Sequence, residues 1–137
     1  MQIDNSALEP LMREVRALCT KLPMSEEYIM VHHPALRVGK KPFFIAGMNV
    51  GEEAPTLSVN LGPMMQGELL DDPRFTRTPY IGQHGWVTVH RRDLSKTELA
   101  RLLEDSWRRI ATAKALAAKD GAPARSRSPR PAARDER

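Results

Sequence analysis

The chain has 137 residues, with 21 Lys and Arg against 17 Asp and Glu, 41% hydrophobic residues and a single cysteine. That length is one domain with a real core, since a chain of this size buries roughly two thirds of its unfolded surface, and it excludes a second domain. One cysteine excludes an internal disulfide, no stretch is apolar enough to span a membrane, and Asp4, Glu9, Arg13, Glu14 and Arg16 stand where a signal peptide would need an uncharged core, so a cytoplasmic protein is expected.

The charge is unevenly placed. Residues 1–118 hold 15 Lys and Arg and 14 Asp and Glu, a net of +1, whereas residues 119–137 add +3. Inside the first span, residues 1–72 sum to −4 and residues 73–118 to +5. The chain is polarised rather than uniformly basic, and most of its excess lies in a tail.

Ser6 followed by Glu9 predicts a capping box, and the stripe from Leu8 to Leu22 predicts a first amphipathic helix ending at Pro23. Pro10 falls near its first turn, where a missing donor costs least. Cys19 is in phase with Leu8, Leu11, Met12, Val15 and Leu18, which makes it a small core residue. From Glu27 the period becomes two: Ile29 and Val31 alternate, Leu36 and Val38 follow, Gly39-Lys40 makes a compact hairpin turn, and Phe43 to Ala46 is an apolar run. Asn49 to Glu53 reads as a loop. Thr56 to Leu61 alternates cleanly, with Leu57, Val59 and Leu61 on one side.

Gly62-Pro63 opens a short helix that ends before Pro73. After a loop from Tyr80 to Gly85 comes a strand from Trp86 to His90, with Val87 and Val89 facing one way. Ser95 with Glu98 is a second capping box, and Leu99, Leu103, Trp107 and Ile110 line a closing helix that fades near Ala118. Residues 119–137, rich in Gly, Ala, Pro, Ser and Arg, are expected to be a disordered basic tail after a domain of residues 1–118.

Three short marks in this order carry a resemblance: His33-Pro34 before the first hairpin, the stretch TRTPYIGQHGWVTVH from Thr76 to His90, and the pair Ser106-Trp107 in the last helix. Over about residues 5–112 the chain resembles the MmcQ/YjbR family. The resemblance implies a frataxin-like (CyaY-like) α+β fold, a two-layer sandwich with N- and C-terminal helices packed on one face of an antiparallel sheet. It also implies double-stranded DNA as a ligand.

Alternation that sends Leu57, Val59, Val87 and Val89 inward sends Arg37, Ser58, Asn60, Trp86, Thr88 and His90 to the other face. If that face is wet, Trp86 can stack on a base or sugar while Arg37, Lys40, Lys41, Arg91 and Arg92 meet phosphates; if the Tyr80 loop covers it, those cations are merely solvated. His32, His33, His84 and His90 lack the cysteine or carboxylate spacing of a metal site, so neither metal nor other cofactor is expected. Gly82-Gln83-His84-Gly85 lacks the lysine of a phosphate cradle, and no carboxylate is placed to orient His90 beside Ser58 and Thr88. In the last helix Arg101, Arg108 and Arg109 form a basic row, but Glu104 and Asp105 stand one turn from Arg101 and Arg108, so local ion pairs neutralise most of it and argue for a salt-bridged face.

The expectation is therefore a non-catalytic binding protein, a monomer or weak homodimer, with weak and sequence-indifferent contact to double-stranded DNA. The competing expectation is a protein-interaction adaptor or chaperone-like module that uses the same sheet face.

Overall fold

The computed structural model describes residues 5–48 and 55–121. A 3-10 turn, Asn5–Leu8, leads into helix α1, Glu9–Cys19, with Leu8 at its N-cap and no side-chain cap bond. The start expected at Ser6 thus falls in the 3-10 turn, and the Glu9 carboxylate pairs with Arg16 at 2.7 Å. Leu11, Met12 and Val15 form the buried face of α1 that the stripe required.

Strands β1 (Glu26–Met30), β2 (His33–Val38) and β3 (Lys41–Ala46) form two consecutive hairpins. The β2–β3 turn is Gly39-Lys40, with φ of 60° and 70°, the left-handed pair that a twisted two-residue hairpin needs. The β1–β2 turn is Val31-His32, with φ of 46° and 74°. Val31 was expected in a strand. A β-branched residue disfavours the left-handed region, so nothing in its type announces a turn; the paired closure of Met30 with His33 places it there instead.

Strand β4 (Thr56–Asn60) is followed by α2 (Gly62–Leu69), β5 (Phe75–Arg77), a 3-10 turn at Gly82–His84, and β6 (Trp86–His90). All pairings are antiparallel in the order β1-β2-β3-β4-β6-β5. The short β5 escapes periodicity because three residues cannot establish a period, yet Phe75 is buried and pairs with Val89.

Helix α3, Lys96–Ile110, starts on the expected Ser95–Glu98 capping box, with both reciprocal bonds present at 3.0 and 2.9 Å. It does not fade into the alanines. Extended backbone at Ala111 ends it, Thr112 caps a new helix α4 (Ala113–Asp120), and left-handed Gly121 closes that one. Helix α4 runs two residues past the limit drawn at 118, and the expected tail from residue 122 onward lies outside the described residues.

The fold is α+β. Helices α1 and α3 lie on one face of the sheet, where Leu11, Met12, Val15, Leu99, Leu103 and Trp107 pack on Leu36, Val38, Phe44, Leu57, Val59, Val87 and Val89. Trp107 is wholly buried and its indole N–H donates to the Pro23 carbonyl at 3.2 Å, tying α3 to the link between α1 and β1. Ser106 is inserted between strands: its hydroxyl accepts from the Asn60 amide (3.0 Å) and donates to the Phe43 carbonyl (2.6 Å). It bridges β3 and β4 at the end where their own register stops at Phe44 and Val59. Among the described residues no helix is long and apolar enough to cross a membrane.

Candidate nucleic-acid interface

The second face of the sheet carries the side chains that alternation assigned to it, but its centre is dry. Register aligns Tyr28, Ala35, Ile45, Ser58, Thr88 and Thr76 in one row across the six strands. Ser58 and Thr88 are buried, and a chain of hydroxyls runs from Thr78 to Thr88 (2.9 Å) to Ser58 (2.7 Å). Each hydroxyl satisfies its neighbour, which is how a row of polar side chains stays stable without water.

Trp86 is not on a wet surface. It is 5% exposed and packs with Ala35 and Ile45, with Tyr28, Met30, Met48 and Ile81 around them. Helix α2 holds the covering loop in place: the Gln66 amide donates to the carbonyls of Gly82 (2.6 Å) and Trp86 (2.9 Å). Asn60, at 9% exposure, is likewise buried, so the expected stacking platform is part of a second small core. Of the two alternatives the covered face is the one found, a choice that period two leaves open because it assigns a side chain to a face without saying what lies over that face.

The expected cations do not converge. Arg37, Lys40, Lys41 and Trp86 lie toward the β2–β3 hairpin end of the sheet, while His90, Arg91 and Arg92 lie at the other end, where His90 pairs with Thr56. Strand rise and spacing put Lys41 and Arg91 roughly 20 Å apart.

Arg91 is engaged. Its guanidinium forms a two-pronged pair with Glu14 of α1 at 2.8 and 2.7 Å, and also donates to the Leu94 carbonyl at 2.6 Å. The arginine hydrogen bonds hold the Glu14 carboxyl below the usual carboxylate range and outweigh its partial burial. Arg91 is thus a clamp between α1 and the end of β6. Arg37 lies with its guanidinium 4.6 Å from the Tyr28 ring centre and pairs with Glu26 at 3.0 Å. His90 is half-buried; Lys40, Lys41 and Arg92 are exposed and form no ion pair among the described residues.

Other arginines are similarly committed. Arg16 bridges Glu9 and Glu27, Arg74 bridges Asp72 and Glu98, and Arg108 bridges Glu104 and Asp120. Of the α3 arginines only Arg108 is paired in this way; Arg101 and Arg109 are exposed and form no ion pair among the described residues, and Arg109 makes a different contact. Its Nε donates to Asn60 Oδ1 at 3.1 Å, and its guanidinium carbon lies 2.9 Å from where a Cβ on Gly62 would stand. Gly62 is required by its φ of 87°, and its missing side chain lets the flexible end of Arg109 lie close against the backbone. Asp105 stands one turn before Arg109 in the helix, but the guanidinium is held at Asn60 instead, a partner that only the tertiary structure supplies.

No curated protein matches the chain. Residues 20–109 match the YjbR family, a span that runs from the end of α1 to the last turn of α3 and includes His33-Pro34, the Trp86 strand and Ser106-Trp107. By this match over most of its 137 residues, the chain belongs to the YjbR family.

Proposed function

We propose that this protein binds rather than catalyses, with double-stranded DNA as its ligand, through weak, salt-sensitive and sequence-indifferent contacts, and that it acts in the cytoplasm on a frataxin-like (CyaY-like) helix-on-sheet scaffold. The observation that supports the reading is that acidic partners occupy Arg16, Arg37, Arg74, Arg91 and Arg108, while Lys40 and Lys41, adjacent on a tight hairpin, are among the cations with no ion pair among the described residues. Cations left uncompensated on a rigid turn are suited to releasing counterions from phosphates.

The test is binding of a labelled 20-base-pair duplex across a range of salt concentrations. It compares the full chain with a full-length variant in which Arg125, Arg127, Arg130 and Arg134 are glutamine. If five phosphates are engaged, the log-log slope is about −4.5. Binding that persists in the variant supports a site on the folded domain; loss of all binding reduces it to polyanion attraction by the tail. Because Trp86 and Trp107 are both buried, tryptophan fluorescence should be shielded from acrylamide and unaffected by duplex, and a strong quench on binding would contradict the geometry.

A second reading, a protein-interaction adaptor, has its own support in Met64 (83% exposed) and Tyr80 (91% exposed). They belong to α2 and to the loop that Gln66 ties to it, and exposed methionine suits an adaptable contact. An adaptor would bind its partner with little salt dependence and lose it on substitution of Met64 and Tyr80.

A further inference from the structure

We infer that Lys40, Lys41, Arg109 and Lys114 form one phosphate-contacting patch at the hairpin end of the sheet, directed at the backbone of double-stranded DNA. This rests on the DNA reading proposed above and gives it a location that excludes Trp86, Arg91 and the sheet face.

Three contacts bring the four residues together from distant parts of the chain. The Thr112 methyl lies 2.8 Å from where a Cβ on Gly39 would be, so the junction of α3 and α4 is seated on the β2–β3 turn. Lys114 follows that cap in the first turn of α4, and Lys40 and Lys41 follow Gly39. Ser106 ties α3 to Phe43 and Asn60, and one turn later Arg109 reaches Asn60 Oδ1 and lies against Gly62. The last turn of α3 therefore runs along the gap between β3 and β4 whose far end is the Lys40-Lys41 hairpin.

The acidic groups nearby are already used. Glu26 pairs with Arg37, and Asp120 pairs with Arg108. Asp105 is exposed one turn before Arg109, but the guanidinium is held at Asn60. Arg109, Lys40, Lys41 and Lys114 are all exposed and make no ion pair among the described residues. Arg109 is also oriented by a hydrogen bond through Nε, and among the described residues its two terminal nitrogens make none, which leaves that side of the planar fork to meet a phosphate. The opposite end of the sheet is poorer: Arg91 is neutralised by Glu14, and Arg92 adjoins Asp93.

The experiment is duplex titration, at 50 to 200 mM salt, of the full chain and of a full-length variant carrying Lys40→Asn, Lys41→Gln, Arg109→Gln and Lys114→Gln. Asparagine at 40 tolerates the left-handed turn. Each phosphate contact contributes about 0.9 to the slope, so losing four flattens it by about 3.6, and the affinity ratio between the two salt concentrations shrinks roughly 150-fold. Should the quadruple variant unfold, the single changes Lys40→Asn and Lys41→Gln at exposed positions carry the test, each flattening the slope by about 0.9. Arg92→Gln with Lys96→Gln, at the other end, is expected to leave the slope unchanged. A slope unaltered by the patch substitutions but flattened by the Arg92 and Lys96 pair overturns the patch while leaving DNA binding intact. Absence of salt-dependent binding by the unsubstituted chain overturns the DNA reading and the patch together.

Discussion

Ser106→Ala is the substitution whose cost the structure specifies most closely. The side chain is fully buried, and its one hydroxyl serves two backbone groups on different strands, the Asn60 amide at 3.0 Å and the Phe43 carbonyl at 2.6 Å. Alanine removes little volume, so the cavity contribution is small and the hydrogen bonds dominate. Each backbone group left buried without a partner costs about 1–3 kcal/mol, and with partial relaxation the pair should cost about 2–4 kcal/mol. For a domain of this size that corresponds to a melting temperature lower by roughly 6–16 °C. Urea and thermal denaturation of the variant measure it, with Thr97→Ala on the exposed side of α3 as a control expected within about 0.5 kcal/mol of the parent. A Ser106→Ala protein as stable as the parent, with an unchanged urea slope, would refute the reasoning. It would mean that β3 and β4 close up and bond to one another directly once the hydroxyl is gone.

Val31→Asn should stabilise the protein by about 1 kcal/mol, because Val31 is exposed and held at φ 46°, where asparagine is tolerated and a β-branched residue is not; a lower denaturation midpoint would count against the turn geometry. Burial, reinforced by the Glu27 charge, pushes the Cys19 thiol up from an ordinary 9.0 to about 12. At pH 8 that leaves about a thousandfold less thiolate than in the unfolded chain, so alkylation by iodoacetamide should be slow until denaturant is added, and rapid labelling of the native protein would contradict it. Glu14 has its pKa depressed below the ordinary 4.5 by Arg91, so the pair stabilises the fold above that value and the gain is lost as pH falls through the folded value. Glu14→Gln should therefore lower stability by about 1–2 kcal/mol near neutrality, the pair being partly exposed, with the gap closing as pH falls below 4.5 and through the folded value; a gap that stays constant with pH would exclude the ion pair as its source.

Local physics writes much of this fold into the chain. The core stripes of α1 and α3, the Ser95–Glu98 cap, the Gly39-Lys40 turn, and the faces of β4 and β6 all follow from period and from residue types that suit one conformation. The marks His33-Pro34, Trp86 and Ser106-Trp107, on which the resemblance rested, all fall inside the span that matches the family. Tertiary structure decided what covers a face and which partner a long side chain reaches. Trp86 alternates outward but is closed over by the loop that Gln66 ties down, and Arg91 finds Glu14, 77 residues away. Arg109 leaves its helical neighbour Asp105 for Asn60, 49 residues back. Burial and ion pairing are sums over groups brought together from every part of the chain, whereas the sequence displays only each residue's own preference and that of its near neighbours. The positions of the uncompensated cations, and with them the proposed DNA contact, could be read only after the strands had been placed side by side.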